Sequence, residues 1–339
     1  MVQYWRSKLF KGRAMWQVVG HKWAVDLLNR SLTRQRVAHA CLLTGPPQIG
    51  KRSLALNFAQ ALNCLSDNNE EKPCGQCLAC NKIAHGNHPD VQIIEGENGT
   101  LKIDQMRVLR HEATLSPLEG QWKVYIIRQM EQATAEAANC LLKTLEEPPP
   151  HVILMLTANQ TDALLPTIVS RCQVLNLRPL ATEAVQRALQ ERWGADGERA
   201  ELLARLSGGR LGWAVTASQD DAILARREKH LSEMTELMSQ GRVERLEYAQ
   251  QLSRNPEAAP DLLHLWLGWW RDLLLAASGS SEGIINIDRE DTLRAQAQRY
   301  SLGQARDFVE ALRTAAWRLE RNANTRLTLE VLMLSLPTR

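Results

Sequence analysis

The segment His39-Ala40-Cys41-Leu42-Leu43-Thr44 is a short apolar run that stops at Gly45-Pro46-Pro47-Gln48-Ile49-Gly50-Lys51, and from Lys51 to Leu62 the pattern turns helical. Strand, glycine loop and helix in direct succession restrict the chain to a narrow class of α/β architectures. The loop fits the first seven positions of the phosphate-binding pattern GxxxxGK[ST]. Its chemistry is anion capture: loop amides and the helix N-terminus present partial positive charge, and a lysine reaches the outer phosphates. A plain glycine turn would account for the glycines but not for Lys51 in that frame.

Two departures change what such a loop can do. The eighth position should carry a hydroxyl that coordinates magnesium, but Arg52 stands there and Ser53 lies one residue on, about 100° further round the helix. The second departure follows the strand-like run Lys123-Val124-Tyr125-Ile126-Ile127, where this architecture normally places an acidic pair to hold the metal and activate water. Arg128 and Gln129 occupy those positions. An arginine beside a metal position repels where a carboxylate attracts. Gly45, Gly50 and Lys51 are therefore expected to form a degenerate phosphate loop without metal-dependent hydrolysis, and the sequence leaves open whether it still holds a nucleotide or an inorganic anion.

The rest of the chain fits a larger α/β frame. Val91-Gln92-Ile93-Ile94 and Val152-Ile153-Leu154-Met155-Leu156 are further strand-like runs, separated by segments of helical character, and this alternation predicts a mostly parallel sheet covered by helices. An amphipathic first helix is predicted from Val18 to Arg34. Pro148-Pro149-Pro150 ends any helix there, and Leu177-Arg178-Pro179-Leu180 marks a domain boundary. Beyond it no comparable strand is expected: residues 180 to about 218 read as a small helical unit ending near Ser207-Gly208-Gly209, and the remainder is helical too. Trp266, Trp269 and Trp270 share one helix face and read as core rather than as a base-stacking platform. At 339 residues, two or three domains are expected.

Composition excludes several classes. No apolar run approaches the ~20 residues that cross a bilayer, and the opening residues lack the apolar core of a secretory signal, so a cytoplasmic location is expected. The formal charge is +3, and Arg6, Lys8, Lys11 and Arg13 supply four positive charges in residues 1–14. This basic leader is read as an extension upstream of a start at Met15, with a phosphate-seeking arm as the alternative. The remaining body is near neutral, unlike a free-standing nucleic-acid binder. Seven cysteines, an odd number, argue against a disulfide framework. Cys64, Cys74, Cys77 and Cys80 follow C-x9-C-x2-C-x2-C, enough thiolates to enclose one tetrahedral zinc with no open position, and an iron–sulfur cluster is the alternative. His85 and His88 follow the cluster and are read as structural.

With these residues placed, the chain resembles the bacterial DNA polymerase III clamp-loader family of AAA+ proteins. The resemblance runs from about Val18 to Pro337. It is carried by Arg36-Val37-Ala38-His39-Ala40, the phosphate loop, the cysteine cluster, the segment from Asn139 through Leu141 to Pro149, Ser170-Arg171-Cys172 and the tail from Asn322 to Glu330. It implies an AAA+ α/β domain over 15–178 with a zinc-binding insertion at 64–80, a helical lid over 179–218 and a helical collar over 219–339 that assembles with other subunits. It also implies gamma/tau and delta subunits as partners, contact with the sliding clamp and primer-template DNA through the complex, and zinc at the four cysteines. Arg171, in Pro166-Thr167-Ile168-Val169-Ser170-Arg171-Cys172, would reach the γ-phosphate of ATP bound by an adjacent gamma/tau protomer. The second-domain arginine with which active relatives sense nucleotide falls on Gly212. The departures favour a branch that assists hydrolysis over the gamma/tau branch that performs it. The alternatives are a gamma/tau-type ATPase in which Ser53 and Glu131 replace the missing ligands, and a DNA-binding zinc module. No polymerase or nuclease acid cluster is evident, so any nucleotidyltransferase activity would belong to the holoenzyme.

Overall fold

The computed structural model describes residues 16–68, 71–280, 283–321 and 323–337; the basic leader, Met15 and Asn322 of the tail motif lie outside them. The chain divides into two compact units. One runs to Leu180 and includes Arg210–Gly212; the other comprises Ala181–Gly209 and the chain from Trp213.

The first unit is a parallel sheet between helical layers. Strands β1 (Ala40–Thr44), β2 (Val91–Ile94), β3 (Lys123–Ile127), β4 (Val152–Ala158) and β5 (Gln173–Asn176) stand in the order β2-β3-β4-β1-β5, and every pairing is parallel. β1, β3 and β4 are buried at every position, as expected for inner parallel strands covered on both faces. The period of two divides their side chains. Cys41, Leu43, Val124, Ile126, Ile153 and Met155 pack with Leu28 of α1 (Lys22–Thr33) and with Leu54 and Phe58 of α2 (Lys51–Leu62). Leu42, Tyr125, Ile127, Leu154 and Leu156 pack with α4 (Ile103–Ala113) and α5 (Ala135–Glu146). Between α2 and β2 lies the short α3 (Leu78–Ala84).

Three boundaries differ from expectation, each for a local reason. α1 begins at Lys22 rather than Val18, because Gly20 and His21 take φ of 71° and 50° and break the helix before it starts. β4 continues to Ala158. β5 is a strand the sequence does not announce: Gln173, Val174 and Asn176 are exposed on this edge strand and only Leu175 is buried, so it carries almost no apolar signal. α5 starts on the Thr134 hydroxyl, which accepts the Ala137 amide at 3.2 Å, and stops before Pro148 as expected. α6 (Pro166–Val169) leads into β5.

The second unit is helical. α7 (Thr182–Trp193) ends at Gly194, whose φ of 67° a residue with Cβ rarely adopts. α8 (Gly197–Leu206) starts on Asp196, whose carboxylate accepts the Arg199 amide at 2.8 Å. α9 (Leu211–Gln219), whose first two residues group with the sheet unit, precedes α10 (Asp221–Leu237), α11 (Arg242–Ser253), α12 (Ala259–Ala277), α13 (Glu290–Ala297), α14 (Leu302–Glu320) and α15 (Thr325–Ser335). Trp266, Trp269 and Trp270 of α12 are fully buried. Trp270 meets Phe308 edge-on, with ring centres 4.7 Å apart, and Tyr300 at 5.6 Å. Buried polar groups pin the packing. Arg245 donates to the carbonyls of Leu237 at 3.0 Å and Leu336 at 2.6 Å, tying α11 to the ends of α10 and α15. Asp272, wholly enclosed, accepts the amides of Ile285 and Asn286 at 2.8 Å. No described helix is long and apolar enough to cross a membrane.

Trp270→Ala is expected to destabilise the second unit by about 3–5 kcal/mol, because it empties a site enclosed by aromatic rings. Trp317→Ala, at a half-exposed ring carrying the Arg321 guanidinium, is expected to cost within about 1 kcal/mol. Urea unfolding midpoints of the two variants check the contrast.

Candidate functional site

Parallel strands bring their C-terminal ends to one edge, and the glycine loop leaves β1 there. Thr44 pairs with Ala158 and Ile127 with Leu156, so the residues just past the strands, Gly45, Asn159 and Arg128, gather along that edge. Gly45 donates its amide to the Asn159 carbonyl at 3.1 Å. Its φ of 139°, and the clash a Cβ would make with the Leu177 carbonyl, make glycine necessary. Gly50 caps α2 with φ of 110°, leaving the first amides of that helix without a side-chain cap. His21 steadies the loop from outside, its Nε2 lying 3.1 Å from the Ile49 carbonyl.

Lys51 is held by the loop itself. Its ammonium donates to the carbonyls of Gly45 and, at 3.2 Å, Pro46, and to Asn159 Oδ1 at 3.0 Å. Burial lowers its pKa to about 8; the Glu131 carboxylate opposes that shift and Arg128 adds to it. Glu131, in the turn after β3, accepts the Asn159 amide at 3.2 Å. The two arginines of the departures share one electrostatic environment. Arg128 is ion-paired with Glu95 at 2.5 Å, and the Arg52 pKa is lowered by burial, then by Arg128, with Glu95 opposing. The buried Nε of Arg52 has no hydrogen-bond partner among the described residues. The expected repulsion near the metal position is thus partly neutralised, by a glutamate the sequence reading did not single out.

Gly212 lies against the loop. Its amide donates to the Gln48 carbonyl at 2.9 Å, and a Cβ there would stand 2.7 Å from the same oxygen. No longer side chain fits this position without moving the loop. Arg171 sits apart from the loop, just after α6. Its Nη2 pairs with Glu146 Oε1 at 2.8 Å and its Nη1 donates to the Thr167 carbonyl at 3.0 Å. The Ser-Arg-Cys triplet and the Leu141-to-Pro149 segment, far apart in sequence, therefore meet through an ion pair.

The four cysteines converge. The sulfurs of Cys64, Cys74, Cys77 and Cys80 all lie within 4.8 Å of one another, and the group could hold a metal ion. Backbone amides address three of them: Cys74 N to Cys64 Sγ at 3.3 Å, Cys77 N to Cys74 Sγ at 3.3 Å, and Cys80 N to Cys77 Sγ at 3.4 Å. Amide donors favour thiolate over thiol. Burial pushes the Cys64 and Cys80 thiols up; at Cys74 burial acts the same way but is outweighed by the amides of Gln76 and Cys77, and the group falls to about 7. His85 and His88 stay outside the cluster. His85 Nδ1 lies 2.7 Å from the Asn81 carbonyl, and His88 Nδ1 accepts the Asp90 amide at 3.1 Å.

Residues 20–181 match the family described as DNA polymerase III, delta subunit, and residues 222–338 the one described as DNA polymerase III, delta subunit, C terminal. The DNA polymerase III subunit delta' of Bacillus subtilis is 31% identical over 319 residues, which cover 92% of this chain and 94% of that protein. The chain belongs to the DNA polymerase III delta' family. The delta' subunit of Pseudomonas aeruginosa is 37% identical over 201 residues, 56% of this chain and 58% of that one. The tau subunit of Escherichia coli is 32% identical over 228 residues, 66% of this chain but only 34% of tau. Similarity to tau is thus partial, whereas the match to the Bacillus delta' subunit covers more than nine tenths of both chains. The five-stranded sheet and its phosphate loop agree with the AAA+ fold expected of this family.

The sequence singles out Lys51, Arg52, Arg128, Arg171 and the cysteines, whereas Asn159, Glu95 and Glu146 enter only through their contacts in the structure. Asn159 could have been found as the first polar residue beyond the strand next to β1. Glu95 holds the equivalent place after β2.

Burial sets the pH behaviour of Lys51. An unfolded chain keeps a lysine protonated to about pH 10.4, the folded chain only to about 8, so between these values the unfolded state binds more protons. The cost of burying the ammonium is present in full below pH 8, and folded-state stability gains from this group as pH rises to about 10. Acylation of Lys51 by a small amine-reactive electrophile, followed by peptide mass spectrometry, is expected to reach half its maximal rate near pH 8.

Proposed function

We propose that this chain is a hydrolysis-deficient clamp-loader subunit that donates Arg171 to the ATP site of a neighbouring gamma/tau subunit during loading of the sliding clamp on DNA. The observation that carries this reading is the charge arrangement at the end of β3. Arg128 and Arg52 stand where a carboxylate pair and a hydroxyl would hold magnesium, and the Lys51 ammonium is bound to its own loop's carbonyls and Asn159. Gly212 supports it further, since an arginine there would collide with Gln48.

A guanidinium supplied in trans neutralises charge on the transferred phosphoryl group, an effect of roughly a thousandfold or more. Lysine would not replace its planar fork. The chain would work in the cytoplasm beside gamma/tau and delta subunits, meeting the clamp and primer-template DNA through the assembled ring, with the lid at 179–218 and the collar at 219–339 as separate domains. Cys64, Cys74, Cys77 and Cys80 would hold a structural zinc, which cross-links the excursion after α2. Nucleotidyl transfer would remain with the polymerase of the holoenzyme.

The second reading, a gamma/tau-type ATPase, is favoured by Glu131, a carboxylate whose charge acts on Lys51. One assay separates the two. The purified chain is expected to turn over no ATP above background, while complexes reconstituted with Arg171→Ala lose at least about a hundredfold of the partners' DNA- and clamp-stimulated turnover. Turnover by the lone chain that Lys51→Ala abolishes would establish the ATPase reading instead. Metal analysis of the purified chain is expected to return one zinc per chain, and none from Cys77→Ser.

A further inference from the structure

We propose that Glu146 is a positioning residue for Arg171, holding its guanidinium ready for the neighbouring nucleotide; this rests on the reading of Arg171 as the arginine given in trans. Arg171 is anchored at two points. Nη2 pairs with Glu146 Oε1 at 2.8 Å, and Nη1 donates to the Thr167 carbonyl at 3.0 Å with Ser170 Oγ at 3.5 Å. Of the five donors of a guanidinium, these contacts leave Nε–H and one hydrogen of Nη2 for an anion. The side chain remains 35% accessible, so it is presented rather than enclosed.

Both partners stand on one rigid platform. Glu146 is the last residue of α5, whose first turn is fixed by the Thr134 cap. Leu141 and Leu145 of the same helix are buried in one cluster with Ile168 of α6, and the Arg171 amide donates to the Ile168 carbonyl at 3.1 Å. The carboxylate is thus held by one helix and the arginine by the next, with an apolar contact fixing the distance between them. An arginine has four side-chain torsions to order before it can meet a phosphoryl group, and a group ordered beforehand loses less entropy at that moment. The pair itself contributes little to folding, because Glu146 is 48% accessible and exposed ion pairs are weak and screened. Loss of Glu146 should therefore change how Arg171 acts and leave the fold intact.

The test uses the full chain in a complex reconstituted with gamma/tau and delta subunits, reading ATP turnover with clamp and primed DNA present. Glu146→Ala is expected to lower the partners' kcat about tenfold, with KM for ATP, complex assembly and the unfolding midpoint of the chain unchanged. Glu146→Gln, which keeps an acceptor oxygen, should recover part of the loss. The double variant with Arg171→Ala should be no slower than Arg171→Ala alone. Turnover unchanged or raised in Glu146→Ala, or a loss that multiplies with that of Arg171→Ala, would overturn the positioning role while the arginine reading stands. Turnover indifferent to Arg171→Ala would overturn both.

Discussion

β1, β3 and β4 are enclosed between two apolar layers, and their interiors admit no ionised group. Charge can enter this sheet only at strand ends. Lys123 marks the N-terminal edge, where its ammonium reaches the Glu112 carbonyl at 2.8 Å; Lys51, Arg128, Glu95 and Asn159 collect at the C-terminal edge. The same exclusion that drives the fold therefore concentrates the polar chemistry in one place. It also makes that place sensitive to sign, because each cation there is partly removed from water and acts on its neighbours more strongly than on a solvated surface.

The state of that edge follows. A phosphate loop normally spends its lysine and its amides on an anion, with a metal completing the charge balance. Here Lys51 is satisfied by Gly45, Pro46 and Asn159, Arg128 by Glu95, and the loop is buttressed by Gly212 and His21. The loop keeps the strand, glycine turn and helix order of the phosphate-binding pattern, while its charges are turned toward one another. Under the proposed function the contribution lies elsewhere, where the ion pair of Arg171 and Glu146 joins the end of α5 to the segment after α6. The second unit follows a different economy: aromatic rings fill its core, and a few enclosed polar groups, Arg245 and Asp272 above all, fix how helices end against one another.

Much of this was legible in residue order. The strand, loop and helix around Lys51, the inner strands, the C-x9-C-x2-C-x2-C spacing and the buried tryptophan face are local patterns; the structure forms these elements, with β4 running on to Ala158, and brings the four sulfurs together. What escaped detection had no local signature. β5 buries only Leu175, because an edge strand is paired on one side and exposed along most of its length. Arg245 carries no local mark of its burial, which depends on the carbonyl of Leu336, ninety-one residues away in sequence.

The sequence alone determined which side chains stand at the C-terminal edge, Lys51, Arg52 and Arg128 among them, with no hydroxyl at 52 and no carboxylate at 128. Only the tertiary structure decided what those side chains do to one another. Glu95, Asn159 and Glu146 acquire partners through strand register and helix packing, and the Coulomb and hydrogen-bond energies concerned depend on distances of a few ångströms between residues that the chain order keeps far apart.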